Sequence, residues 1–98
     1  MTAPNMKIKF HKNFILNLRL ILDFIAQNNP QNADEFEKNL FESLDKLKFM
    51  PYRCRKSFYS DDERVRDFVF KGYIAPYLIA KDEIIVLGIF KHKQAPKF

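Results

Sequence analysis

Two helical patterns that meet at Asn28, Asn29 and Pro30 constrain this chain more tightly than anything else in it. Ahead of that point Phe14, Leu18, Ile21, Leu22 and Ile25 recur at steps of three and four, so a helix carries them on one side. Beyond it Ala33, Phe36, Leu40, Leu44 and Leu47 draw a second stripe, with Glu35, Glu37, Lys38 and Asp45 turned away from its centre. Pro30 suits the first turn of a helix, where the N–H it lacks would be unpaired anyway, and the Asn29 side chain can accept from an orphan amide of that turn. Asp34, Glu35 and Glu37 sit near the positive end of the second helix, and Lys46 and Lys48 near its negative end. The stretch from Asn13 to Pro51 therefore predicts two antiparallel helices sharing one core. Pro51 closes it, because the residue before a proline is pushed out of helical geometry.

The rest of the chain must cover those stripes. From Met6 onward Lys7 and Lys9 alternate with Ile8 and Phe10, the pattern of a short strand with one buried face. Residues 52–63, YRCRKSFYSDDE, have no clean period and predict an exposed connecting loop. From Arg64 the runs RVRDFVF, GYIAPYLIA and EIIVLGIFK read as three strands, separated by turn signals at Lys71-Gly72 and Lys81-Asp82. Short turns imply antiparallel pairing. The expected fold class is α+β in the order β-α-α-β-β-β, a helical hairpin packed on a small antiparallel sheet. Pro76 cannot donate to a ladder and predicts an irregularity in the third strand. One domain is expected over residues 1–98, with 1–5 as a disordered leader.

A chain of 98 residues has room for two layers around one core. No apolar run approaches the roughly 20 residues that span a bilayer, and MTAPNMKIKF lacks the apolar centre of a secretory leader. The expected location is the cytoplasm, with no membrane partner. Cys54 is the only cysteine, so no internal disulfide forms, and with His11 and His92 it falls short of the roughly four ligands of a zinc site. Neither a metal nor a cofactor is expected. The formal net charge of +5 is uneven: residues 1–45 hold five Lys/Arg against six Asp/Glu, and residues 46–98 hold twelve against six. The basic surface belongs to the second half, either as a solubilising face or as a seat for a polyanion or acidic partner.

The chain has no glycine-rich phosphate loop, nucleophile elbow or HExxH helix. What remains is a basic and aromatic cluster that a meander would place side by side: Arg64 and Arg66 on one strand, Tyr73 and Tyr77 on the next, and Lys91, His92 and Lys93 after the last. Cations hold phosphates and steady the charge of phosphoryl transfer, tyrosines stack on bases, and a histidine shuttles protons near neutral pH. These are the parts of a metal-independent ribonuclease, and equally of an ordinary basic surface. Loop aromatics such as Phe58 and Tyr59 more often pin a loop than bind a base, and His11 at the strand-to-helix junction reads as structural. On the first helix Leu16 and Leu20 project opposite the core stripe, beside Asp23 and Gln27. Either another segment covers them or they form a groove or ridge for a partner's helix.

The stretch DFIAQNNPQNADEF is similar to a Y-I-A-x-x-N-P-x-A-A-x-x-F pattern, with Phe24, Ile25, Ala26, Asn29, Pro30, Ala33 and Phe36 at the matching positions. Pro51, GYIAPYLI and EIIVLGIFKHKQAP resemble a proline after the second helix, a G-Y-x-x-x-Y strand and a final strand with a basic tail. Together, over residues 6–96, they resemble the RelE/ParE superfamily of toxins from bacterial type II toxin–antitoxin modules. The N-P hairpin is most similar to the ParE-like branch, which implies inhibition of DNA gyrase. The RelE-like branch instead implies cleavage of mRNA on the ribosome, by basic residues on the second strand, an arginine just after G-Y on the third, and a basic tail. Arg64 and Arg66 answer to the first of these, whereas Ile74 stands at the arginine position, Lys91 where many relatives have histidine, and Lys93 where they have arginine.

The resemblance thus implies a ParE-like toxin that inhibits growth by binding an essential target such as gyrase, through Arg66, Tyr73, Lys91, His92 and Lys93, and whose cognate antitoxin binds at Leu16 and Leu20. The alternatives are a RelE-like ribonuclease using Arg64, Arg66, Lys91, His92 and Lys93, and a non-toxic adaptor that keeps only the antitoxin-binding surface. Whether the chain is an enzyme stays open at this point.

Overall fold

The computed structural model describes residues 6–91. The leader expected over 1–5, and the candidates His92 and Lys93, lie outside the described residues. Strand β1 (Lys7–Phe10) leads into helices α1 (Lys12–Asn28) and α2 (Pro30–Asp45). A short 3-10 turn (Lys46–Lys48) and a long connection precede β2 (Val65–Phe70), β3 (Tyr73–Ile79), β4 (Glu83–Val86) and β5 (Phe90–Lys91). The expected α+β architecture holds, with the helical hairpin packed against one sheet.

Local side chains set the helix ends where the sequence places them. His11 Nδ1 accepts from the Asn13 N–H at 3.1 Å, and Asn29 Oδ1 accepts from the Gln31 N–H at 2.9 Å, with Pro30 as the first residue of α2. Phe14 and Leu18 of α1, Phe36, Leu40 and Leu44 of α2, and Leu47 of the 3-10 turn are buried against Ala75, Tyr77, Ile79, Ile84, Val86 and Ile89. Ile21, Leu22 and Ile25 close the rim of that core half-buried. Phe10 stacks on Phe14 at 5.1 Å and meets Phe41 edge-on at 5.3 Å, which ties β1 to both helices.

The sheet runs β1-β4-β3-β2, and β5 returns to pair with β3. It is mixed rather than wholly antiparallel as expected, because β1 pairs with β4 in parallel, Ile8 beside Ile84 and Phe10 beside Val86. A parallel pair needs a long crossover, and here the hairpin, β2 and β3 all lie between the two strands. The β2–β3 hairpin turns on Lys71 and Gly72 with φ of 48° and 84°, the left-handed pair that a tight two-residue turn requires.

The irregularity expected at Pro76 falls beside β3. Asp67, its partner on β2, donates its N–H away from β3 to Arg55 O at 3.1 Å, so Pro76 faces β4 and β5 with its missing donor. There the expected EIIVLGIFK strand breaks into β4 and β5. Leu87 N–H donates to Pro76 O at 2.8 Å, and Ile89 N–H reaches the Asn17 side chain at 3.4 Å.

Residues 52–63 differ from the open loop expected. They wrap the edge and the outer face of β2: Ser57 N–H donates to Val65 O at 2.9 Å, and the Tyr59 ring meets Phe90 edge-on at 5.7 Å. These contacts cover an edge strand that would otherwise present unpaired backbone groups.

Candidate functional site

Among the described residues, the sheet does not gather Arg64, Arg66 and Lys91 of the predicted basic cluster at one place. Lys91 lies beside Tyr73 at the start of β3, whereas Arg66 lies beside Tyr77, four residues and about 13 Å further along. Arg64 closes a two-pronged ion pair on Asp62, with Nε and Nη2 at 3.1 and 2.9 Å. That hydrogen bond is the main reason the exposed Asp62 carboxyl sits below its ordinary value and the Arg64 guanidinium above its own. Arg66 Nη1 donates to Cys54 O at 3.0 Å and to Tyr52 O at 3.4 Å, with its guanidinium over the Tyr52 ring. It braces the chain after the helices.

Tyr77 is a core residue rather than a stacking one. It is fully buried, and its hydroxyl donates to Pro51 O at 2.7 Å. Burial chiefly, then the neighbouring Cys54 side chain, push its phenol well above the ordinary value of about 10. A raised folded value means that this contribution to stability is complete below pH about 10 and is lost as pH climbs beyond it. Tyr77→Phe leaves the Pro51 carbonyl without its donor, so near neutral pH it should cost about 1 kcal/mol, or roughly 4–8 °C in Tm. Thermal melts of both proteins from neutral pH upward should show that gap narrowing above pH about 10; a constant gap would contradict the assignment.

Where β2 pairs with β3, the outer face carries no cationic side chain among the described residues. Ile74, at the position where the resemblance places an arginine, is fully buried, as are Val65 and Asp67 further along β2, while its direct partner Val69 is exposed. Asp67 Oδ2 accepts from Phe58 N–H at 3.1 Å and sits 3.5 Å from Arg55 Nε, so this oxygen of the buried carboxylate holds the overlying segment.

An open groove lies between α1 and the end of β5. It encloses about 380 Å³, with Asn17, Leu20, Ile21 and Phe24 on one wall and Tyr73, Ile89, Phe90 and Lys91 on the other. Leu16, Leu20 and Phe24 stand one helical turn apart with 57, 69 and 57% of their surface exposed. The two leucines are uncovered as one of the sequence alternatives requires, and Phe24 joins them. Its spacing from Leu20 carries that signal, although in the sequence it reads only as part of the hairpin motif. Lys91 Nζ lies 5.5 Å from the centre of the Phe24 ring, which places a positive charge at the groove's end. Tyr73 packs edge-on to Phe36 at 5.5 Å and joins this groove to the core. Among the described residues no three His, Cys, Asp or Glu side chains converge where a metal ion would sit, and no helix is long and apolar enough to cross a membrane.

The model of the family described as the ParE toxin of the type II toxin–antitoxin system parDE matches residues 8–96. No curated protein matches the chain in sequence. Among solved structures, the chain is similar to one from the chromosomal ParDE toxin–antitoxin system of P. aeruginosa, with a TM-score of 0.75 and 21% identity, covering 89% of this chain and 96% of that one. It is also similar to the conserved hypothetical protein HP0894 from Helicobacter pylori, with a TM-score of 0.51 and 20% identity, covering 90% and 96% of the two chains. At these identities the two structures establish a shared fold.

Proposed function

We propose a function from one premise: this chain belongs to the ParE toxin family of type II toxin–antitoxin systems. The family match over residues 8–96 is the observation that carries the reading, and membership implies an antitoxin partner. The toxin acts in the cytoplasm as a single domain, where it arrests growth by binding an essential target, DNA gyrase. Target contact is made through Tyr73, Lys91, His92 and Lys93, while Arg66 braces the segment after the helices at the other end of β3. The antitoxin seats the apolar face of a helix on Leu16, Leu20 and Phe24, whose exposure at one-turn intervals suits that mode of recognition. Tyr73 and Lys91 line the same groove, so a helix lying there covers part of the target surface. One ligand then excludes the other.

Binding is favoured over RelE-like cleavage by a specific feature. Cleavage needs cations placed where charge develops, whereas Ile74 stands at the arginine position and is fully buried, and Asp67 on β2 is held against the backbone of Phe58. The test is induced expression in the native host. Growth should slow, and a co-expressed antitoxin from the adjoining gene should restore it. Soluble, folded protein that leaves growth untouched would favour the adaptor instead.

A further inference from the structure

Away from α1, exposed apolar side chains concentrate where the chain leaves the helices. Phe49, Met50, Tyr52 and Phe58 are 66, 62, 60 and 71% exposed. The stretch is also basic: residues 46–58 hold five Lys/Arg and no Asp/Glu. Arg53 and Lys56 are exposed between the rings, and Lys56 meets Glu63 in a surface pair at 3.4 Å. Such a pair is weak enough for a phosphate to displace.

The backbone under this stretch is fixed from below. Tyr77 holds Pro51 O at 2.7 Å, Arg66 holds Cys54 O at 3.0 Å, and Asp67 holds Phe58 N–H at 3.1 Å. Ser57 N–H and Arg55 O bond along β2. Buried and half-buried polar groups thus secure a ridge whose aromatic side chains point outward. Cations already lie against two of its rings, the Arg55 guanidinium 4.0 Å from the centre of Phe58 and that of Arg66 5.0 Å from the centre of Tyr52.

We propose that residues 49–58 form a ridge that binds single-stranded nucleic acid, with Tyr52 and Phe58 stacking on bases and Arg53 and Lys56 holding phosphates. Exposed rings interleaved with cations suit unpaired bases, since every base offers a face to stack on and the phosphates between need positive charge. The ridge lies at the Tyr77 end of β3 and the α1 groove at the Tyr73 end, so the inference stands apart from the antitoxin and gyrase reading.

Fluorescence anisotropy of the full-length protein with a labelled oligo-dT of about 12 nucleotides, a length typical of single-strand sites, tests the proposal. Phe58→Ala should weaken binding about tenfold with an unchanged melt, in the range found when one stacking ring is removed. Arg53→Ala with Lys56→Ala should flatten the plot of log affinity against log salt by about 1.4, at roughly 0.7 for each lost phosphate contact. No binding at low salt, or equal affinity in all variants, would overturn the proposal. So would equally tight binding of inorganic polyphosphate, which has no bases, or binding of an acidic peptide with the oligonucleotide ignored.

Discussion

Leu44→Asp is expected to abolish cooperative folding. Leu44 is fully buried on α2, in the cluster that joins the hairpin to Tyr77, Ile84 and Val86. Losing a buried leucine costs about 2–5 kcal/mol through lost transfer and the cavity left behind. A carboxylate in the same place adds several more, because no cation or donor of the core answers it. Together these reach the whole stability of a small domain, about 5–15 kcal/mol. Thermal circular dichroism should show no cooperative transition for this variant, while Leu44→Met, which keeps the volume, should stay within about 1.5 kcal/mol of the parent. A Leu44→Asp protein that melts like the parent would mean that α2 does not bury this face.

The second large effect concerns binding and leaves the fold intact. Leu16→Ser with Leu20→Ser removes two side chains already 57 and 69% exposed, so the melt should shift by little. If both anchor the antitoxin helix, each is worth about 2 kcal/mol as a contact that excludes water, and the pair should lower antitoxin affinity about a thousandfold. Titration calorimetry with the purified antitoxin measures this. Unchanged affinity would move the antitoxin away from α1.

The helical hairpin was legible because its information is local. Asn29 and Pro30 act within one turn of themselves, and the two stripes need only the helical period. The direction of β1 was hidden for the opposite reason. Alternation of Lys7, Ile8, Lys9 and Phe10 reports one buried face, yet is identical for parallel and antiparallel neighbours. Pro76 announced a break, but which neighbouring strand would break depended on where Asp67 sends its N–H. The spacing within the basic cluster was hidden because adjacency of strands is not adjacency along them: Arg66 and Lys91 pair with residues four apart on β3. Residues 52–63 lacked a period because single anchors, rather than a repeating face, hold them down. Leu16 and Leu20 stood out in sequence as apolar residues on the wrong side of a helix, and that asymmetry survives in the folded protein as their exposure, with Leu20 on the wall of the groove.

The central claim is that this toxin stops an essential enzyme by binding it. DNA supercoiling by purified gyrase, with the purified protein added in increasing amounts, tests that claim most directly. Supercoiling should fall as the protein rises, and should return when the antitoxin is added in excess. Supercoiling that continues undisturbed at saturating protein, while the same preparation cuts message on programmed ribosomes, would contradict the account.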